Sequence, residues 1–290
     1  MSVLDHKIDF AVVLSVKNAN PNGDPLNGNR PRQNYDGHGE ISDVAIKRKI
    51  RNRLQDMGEP IFVQSNDRTT DGFTSLRERA EAHPELSNLL KGKKKVDPET
   101  FAKLACQIWT DVRSFGQVFA FKGDKDKEEA GVSIGIRGPV TIRSAESLDP
   151  IDITSLQITK STNTEPGKDR GSDTMGMKHR VDFGVYVFYG SINTQLAEKT
   201  GFTNEDAEKI KQALITLFEN DASAARPEGS MEVHKVFWWE HNSKIGQYSS
   251  AKVHQSLQIE RLTDQPRSFS DYRITVKTLE GLKVEVYDGR

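Results

Sequence analysis

The chain is short of three things, and each shortage excludes a class of protein. It has one cysteine, Cys106, in 290 residues. No disulfide framework can form within the chain, and no cysteine-based structural zinc site can be built, which fits a reducing compartment. It has no apolar run approaching ~18 residues, the length that crosses a bilayer as a helix. The opening MSVLDHKIDF lacks the hydrophobic centre of a signal peptide, so a cytoplasmic protein with no membrane partner is expected. The third shortage is net charge, which is −1. A nucleic-acid binder of this charge would need local concentrations of cations.

Such a concentration exists. From Arg30 to Arg53 the chain carries seven Lys/Arg against three Asp/Glu. Ile8 to Val16, IDFAVVLSV, precedes it and reads as a strand of apolar, β-branched residues. Asn, Pro and Gly then dominate to Gly39, where neither strand nor helix can continue. Ser42 is placed to cap a helix running to about Met57. On that helix Ile46, Ile50, Leu54 and Met57 form an apolar stripe, with Lys47 and Arg51 together on one flank and Lys49 on the other. Proline neighbours hold Arg30 and Arg32 in extended backbone. A strand, a glycine-rich loop and a basic helix at one sheet edge suit a phosphate chain.

Further along, Gly58 to Asp97 reads as an insertion with short helices and a Lys93–Lys95 run. Pro98 can start a helix whose Phe101, Leu104, Ala105 and Ile108 share a face. VSIGIRGPVTIRSAESL has strand-like alternation, and KGDKDKEEAG before it is a charged loop. Asp149 to Arg180 is poor in core residues, and a structureless stretch of that length is either a functional projection or disordered. Its cations are Lys160, Lys168, Arg170, Lys178 and Arg180, with His179 between the last two. Met175 and Met177 are the kind of apolar group that can wedge between bases while neighbouring cations hold phosphates. Val181 to Ile192 is the clearest buried strand. Thr203 and Asp206 mark a helix start, with Ala207, Ile210, Leu214 and Leu217 as its stripe. Val233 to Glu240 is a strand, on which Trp238 and Trp239 should point to opposite faces, one buried and one outward. Strands at Ile274/Val276 and Leu282–Val286 should meet at a turn near Glu280-Gly281.

The resulting order is α+β, with βαβ units and insertions, and suggests a ferredoxin-like (split βαβ) core in a single domain. Catalytic signatures are missing. The histidines show no metal-ligand spacing, and there is no P-loop and no nucleophile elbow. Asp24 and Asp36 have turn chemistry as a sufficient explanation, since Asp-Pro and Asp-Gly are common turn pairs. No catalytic residue, metal ligand or cofactor is expected.

NPNGDPLNGNRPRQNYDGHGEISDVAIKRKIRNRLQDMG closely resembles the N-terminal segment of the backbone subunit of the type I-C CRISPR Cascade complex. DVRSFGQVFAF, SIGIRGPVTIRSAES and MGMKHRVDFGVYVFYG are similar to the same family, and the resemblance covers nearly the whole chain. It implies a modified RNA-recognition-motif core shaped like a hand, with the insertion at about 58–97 as fingers and a projection at about 155–180 as thumb. It implies homo-oligomers stacked along a CRISPR RNA guide, target DNA held through the guide, and contacts with the large subunit and the guide-end-capping or processing subunit. Carried onto this chain, the RNA-binding residues would be Asn29, Arg30, Arg32, Ser42, Lys47 and Arg51 in the palm. Lys160, Met175, Met177, Lys178, His179 and Arg180 would serve in the thumb. Two alternatives stay open. Related type III backbone subunits cut RNA with an aspartate in a loop comparable to that of Asp24, and a generic single-strand RNA-binding module would share much of this pattern.

Overall fold

The computed structural model describes residues 2–90, 96–122, 131–160 and 175–290. The lysines of the 93–95 run, most of the 122–131 loop, Lys168 and Arg170 lie outside them. In chain order the elements begin with β1 (Ile8–Ala19), β2 (Gly23–Asp24), β3 (Arg30–Pro31), β4 (His38–Ile41), α1 (Asp43–Asp56), α2 (Leu76–Glu81) and α3 (Pro84–Leu90). Then come α4 (Pro98–Ile108), α5 (Thr110–Phe115), β5 (Gly116–Phe121), β6 (Val132–Arg137), β7 (Val140–Ile142), β8 (Ala145–Pro150), β9 (Ile153–Thr159) and β10 (Met175–Ile192). The rest are α6 (Thr194–Thr200), α7 (Asn204–Ile215), β11 (Met231–Glu240), α8 (Ser250–Ser256), β12 (Leu257–Arg261), β13 (Tyr272–Val276) and β14 (Val284–Asp288).

A central sheet runs β14-β11-β1-β10-β8-β4, and β7 and β9 also pair with β10. Every pairing in it is antiparallel. β1 is buried from Ile8 to Val16, on both faces. That explains why it reads as a continuous apolar run: both faces of the strand are covered. On one face Phe10, Val12, Leu14 and Val16 meet Ile46, Ile50 and Leu54 of α1 and Ile210 and Leu214 of α7. On the other, Ala11 and Val13 meet Val185, Phe237 and Trp239, under Val253 of α8 and Leu257 and Tyr272 of the β12–β13 hairpin.

The helix starts behave as local chemistry dictates. The Ser42 hydroxyl accepts from Ala45 N at 3.3 Å, and Thr203 and Asp206 form a reciprocal capping box. Each cap stabilises its helix by about 1 kcal/mol.

Two expectations need correcting. Trp238 and Trp239 are both buried, because β11 lies between β1 and β14 and each of its faces has a cover. Trp238 stacks on Phe10 at 5.6 Å, while Trp239 belongs to the opposite layer. The two C-terminal strands do not pair with each other. The chain turns at Glu280-Gly281, but β13 pairs with β12 and β14 with the edge of β11. The partner of β13, β12, comes from residues 241–271, a stretch with no expected element, whereas the partner of β14 is the expected strand β11. The helix at Pro98 belongs to a second core, in which Phe101 and Ala105 pack with Phe62, Leu86, Trp109, Phe119 and Ile134. That core reaches well past the 58–97 segment. It is tied to α1 through Asp111, a fully buried carboxylate that accepts from Phe62 N at 2.7 Å, Val63 N at 3.1 Å and Arg51 Nε at 3.0 Å.

Candidate nucleic-acid interface

Asn18, at φ 54°, interrupts the end of β1: Lys17 and Ala19 pair with Phe183 and Val181, and Asn18 is skipped. The chain then folds on itself in the short β2–β3 ladder, Gly23 opposite Pro31 and Asp24 opposite Arg30. A Cβ on Gly23 would come within 2.0 Å of Asn29 Oδ1, so a larger residue there would displace the Asn29 side chain. Asp24 organises the turn. Its Oδ1 accepts from Leu26 N at 3.1 Å and its carbonyl accepts from Asn29 N at 2.8 Å. Asn29 sits at φ 59° and serves the turn too, its carbonyl accepting from Asn20 Nδ2 at 2.7 Å. Leu26 and Tyr35 project from this region at 97% and 102% exposure.

Arg30 leaves the ladder toward the neighbouring strands. Its Nη1 donates to Ser155 Oγ at 2.9 Å, and Ser155 Oγ lies 2.8 Å from His179 Nδ1. Ser155 and His179 are register partners in β9 and β10, which form a two-stranded ribbon out to the pair Met175–Thr159. Those parts of the projection are therefore regular strand, and 161–174 lies outside the described residues. Strand alternation gives the ribbon two faces. Met175, Met177 and His179 share one with Gln157 and Ser155; Lys178 and Arg180 share the other with Leu156 and Ile158. Met175, Met177, Leu156 and Ile158 are all exposed. The last two alternate with polar residues in ITSLQIT, a strand signal that was readable in the sequence and missed.

The donors here are underused. Arg32 Nη2 is 3.7 Å from Asp24 Oδ1, and Arg180 Nε is 3.9 Å from Asp182 Oδ1. Neither Arg32 Nε nor Arg180 Nε has a hydrogen-bond partner although both are buried. A buried N–H without an acceptor costs ~1–3 kcal/mol. Lys178 is exposed, as is Lys160 beyond the end of β9.

The chain matches the family model for CRISPR-associated protein Cas7 over residues 6–277. It belongs to the Cas7 family. A curated relative, CRISPR-associated protein Cas7 from Haloferax volcanii, is 29% identical over 234 residues; the alignment spans 76% of this chain and 66% of the relative. A solved chain described as "CRISPR RNA-guided surveillance complex, pre-nicking" superposes with a TM-score of 0.51 at 14% identity, covering 91% of this chain and 80% of that one. At that identity the likeness is one of fold.

Within this Cas7-family chain the cations of α1 do not join the loop. Arg51, expected in the palm groove, is paired with Asp111 at 3.0 Å and lies over the Phe115 ring, so its guanidinium already has a carboxylate partner within the chain. Lys49 is buried against Asp221, and burial pulls its pKa down against the attraction of that carboxylate. Arg48 donates to Val63 O at 2.5 Å, and Arg53 reaches Thr216 and Glu219. Lys47 pairs with Asp43 one turn back at 3.0 Å. The helix faces the acidic groups of α5 and the 216–221 segment, which sequence spacing could not disclose. Ser42 is engaged as the cap, and its N–H donates to Asn22 Oδ1 at 2.9 Å. Among the described residues no group of three or more His, Cys, Asp or Glu could hold a metal ion, and no helix is long and apolar enough to cross a membrane.

Proposed function

We propose that this chain is the guide-binding backbone subunit of a type I-C Cascade surveillance complex. It binds CRISPR RNA without reading sequence, oligomerises along it with copies of itself, and supports pairing of the guide with target DNA in antiviral defence. It contacts the large subunit and the guide-end-capping or processing subunit. It works inside the cell, needs no cofactor and turns over no substrate. The order β11-β1-β10-β8 with α1 and α7 on one face supports a modified ferredoxin-like, RNA-recognition-motif core. The second core is read as fingers and the β9–β10 ribbon as thumb.

The observation that carries the reading is the Arg30–Ser155–His179 bridge. It joins the glycine-rich loop to the base of the ribbon, so that two cationic segments far apart in sequence share one surface. Open guanidinium groups hold phosphates, and Met175 and Met177 interrupt base stacking. The arrangement gives Asp24 another task than catalysis, because its carboxylate caps a turn and faces Arg32.

Nuclease protection of a CRISPR RNA by the purified protein, with mass photometry of the same sample, tests this. Protected intervals of constant length and particles that grow with guide length are expected. A single footprint from a monomer would instead make the protein a generic RNA-binding module. Magnesium-dependent cleavage of guide-paired RNA, lost in Asp24→Ala, would make it a ribonuclease.

A further inference from the structure

The turn that follows β1 has an arginine-bearing neighbour on its far side. Between α7 and β11 the chain makes a tight turn in which Ser223 N donates to Arg226 O at 2.8 Å and Arg226 N to Ser223 O at 3.0 Å. This turn is fastened to the end of β1. Asn20 N donates to Ala225 O at 2.9 Å, and Lys17 N donates to Ser230 O at 2.8 Å. Asn20 also donates through Nδ2 to Asn29 O at 2.7 Å. One asparagine thus holds the chain neighbour of Arg226 on one side and the chain neighbour of Arg30 on the other.

The charges around Arg226 do not balance. Its Nε is 3.5 Å from Asp221 Oδ2 and is buried without a hydrogen-bond partner. The same carboxylate oxygen carries the buried Lys49 ammonium. Two cations therefore share one carboxylate, and Arg226 adds to the burial that disfavours the charged form of Lys49. Glu228 lines the same shallow hollow but is exposed and bonded to neither cation. A phosphodiester brings one negative charge and acceptor oxygens that a guanidinium binds well.

We propose that Arg226 is a phosphate-contact residue and that the 221–230 turn is a further wall of the nucleic-acid track, beside Arg30. The inference rests on the nucleic-acid reading above. The test is the salt dependence of binding to a fluorescent single-stranded guide-length RNA for the wild type, Arg226→Gln, Arg226→Lys and, as reference, Arg30→Gln. Each lost phosphate contact lowers the slope of log affinity against log salt by about 0.7. Arg226→Gln should lower it by that amount and weaken binding several-fold, and Arg226→Lys should restore most of the slope. A slope unchanged in Arg226→Gln while Arg30→Gln lowers it overturns the assignment of Arg226 and leaves the site standing. A wild type that does not bind at all overturns both. A second readout avoids dependence on variant folding: photo-crosslinking of thiouridine-substituted RNA to the wild type, mapped by mass spectrometry. Adducts on residues 221–230 support the wall. Adducts on the ribbon and glycine-rich loop without any on 221–230 refute it.

Discussion

Helix α1 and the glycine-rich loop before it are both basic and adjacent in the chain, yet their cations are partnered to different degrees. The cations of α1 find partners inside the protein: Arg51 with Asp111, Lys49 with Asp221, Arg53 with Glu219, Lys47 with Asp43. Arg32 of the loop region and Arg180 at the ribbon base keep a donor nitrogen without an acceptor. A density of positive charge in sequence is thus two different things. In α1 it fastens a second core to the first. At the loop and the ribbon base it leaves donor nitrogens that no acceptor among the described residues satisfies.

The largest effect that could break this contrast lies at the fastening. Asp111→Ala strands Arg51 and two backbone N–H groups in a buried place, and should cost about 3–5 kcal/mol of stability in urea unfolding. The salt slope of RNA binding by the folded fraction should stay as in the wild type. A loss under ~1 kcal/mol would show that α1 is not fastened through this carboxylate. The loop should give the reverse pattern. Arg30→Gln with Arg32→Gln should lower the RNA-binding salt slope by about 1.4, two contacts at ~0.7 each. Stability should move far less than in Asp111→Ala, by about 1 kcal/mol or less, because the hydrogen bond lost at Arg30 is offset by removal of the unpartnered Arg32 Nε. A marked drop in stability with an unchanged slope would make these arginines structural and erase the distinction.

The smallest effect is in pH. Burial holds the His254 imidazole below its ordinary 6.5, against the pull of Asp9, and burial does the same for His234 against Glu232. Both folded values lie under the unfolded one, so the unfolded chain takes up protons first as the medium is acidified. Stability is then complete above about pH 6.5 and declines below it. Asp9 and Asp206 behave differently. Burial alone would raise their pKa values, but hydrogen bonds from His241, Ser250 and Lys7 to Asp9, and from Arg113 to Asp206, hold them under 3.8. Their contribution is present above pH 3.8 and is lost only as pH falls through those lower folded values. Melting temperatures between pH 7 and 5 should therefore fall, and His254→Gln should flatten the decline. A flat profile in the wild type would contradict the buried, neutral state of these histidines.

What could be read from the sequence was what depends on near neighbours. The strand at Ile8–Val16, the Ser42 cap, the Thr203–Asp206 box and the Ala207–Leu217 stripe follow from contacts within a few residues or from one periodicity. The burial of both Trp238 and Trp239 could not be read, because it depends on layers supplied by α1, α7, α8 and the β12–β13 hairpin. Nor could the separation of β13 from β14, since hairpin logic sees only the turn and not the strands already waiting on either side. At the candidate site, Arg30 and Arg32 stood out by their proline neighbours and Met175 and Met177 by their setting. Ser155, which joins the two groups, carried no signal of its own.

The sequence by itself determined which side chains are charged, where helices begin and where the backbone must turn, since these are settled by atoms three or four residues apart. Only the tertiary structure decided which charges are neutralised. Arg51 meets a carboxylate 60 residues away and Lys49 one 172 residues away, while Arg30 meets a hydroxyl 125 residues away. Coulomb attraction acts through space and not along the chain, so the same residue type becomes a bolt or an open donor according to what the fold brings beside it.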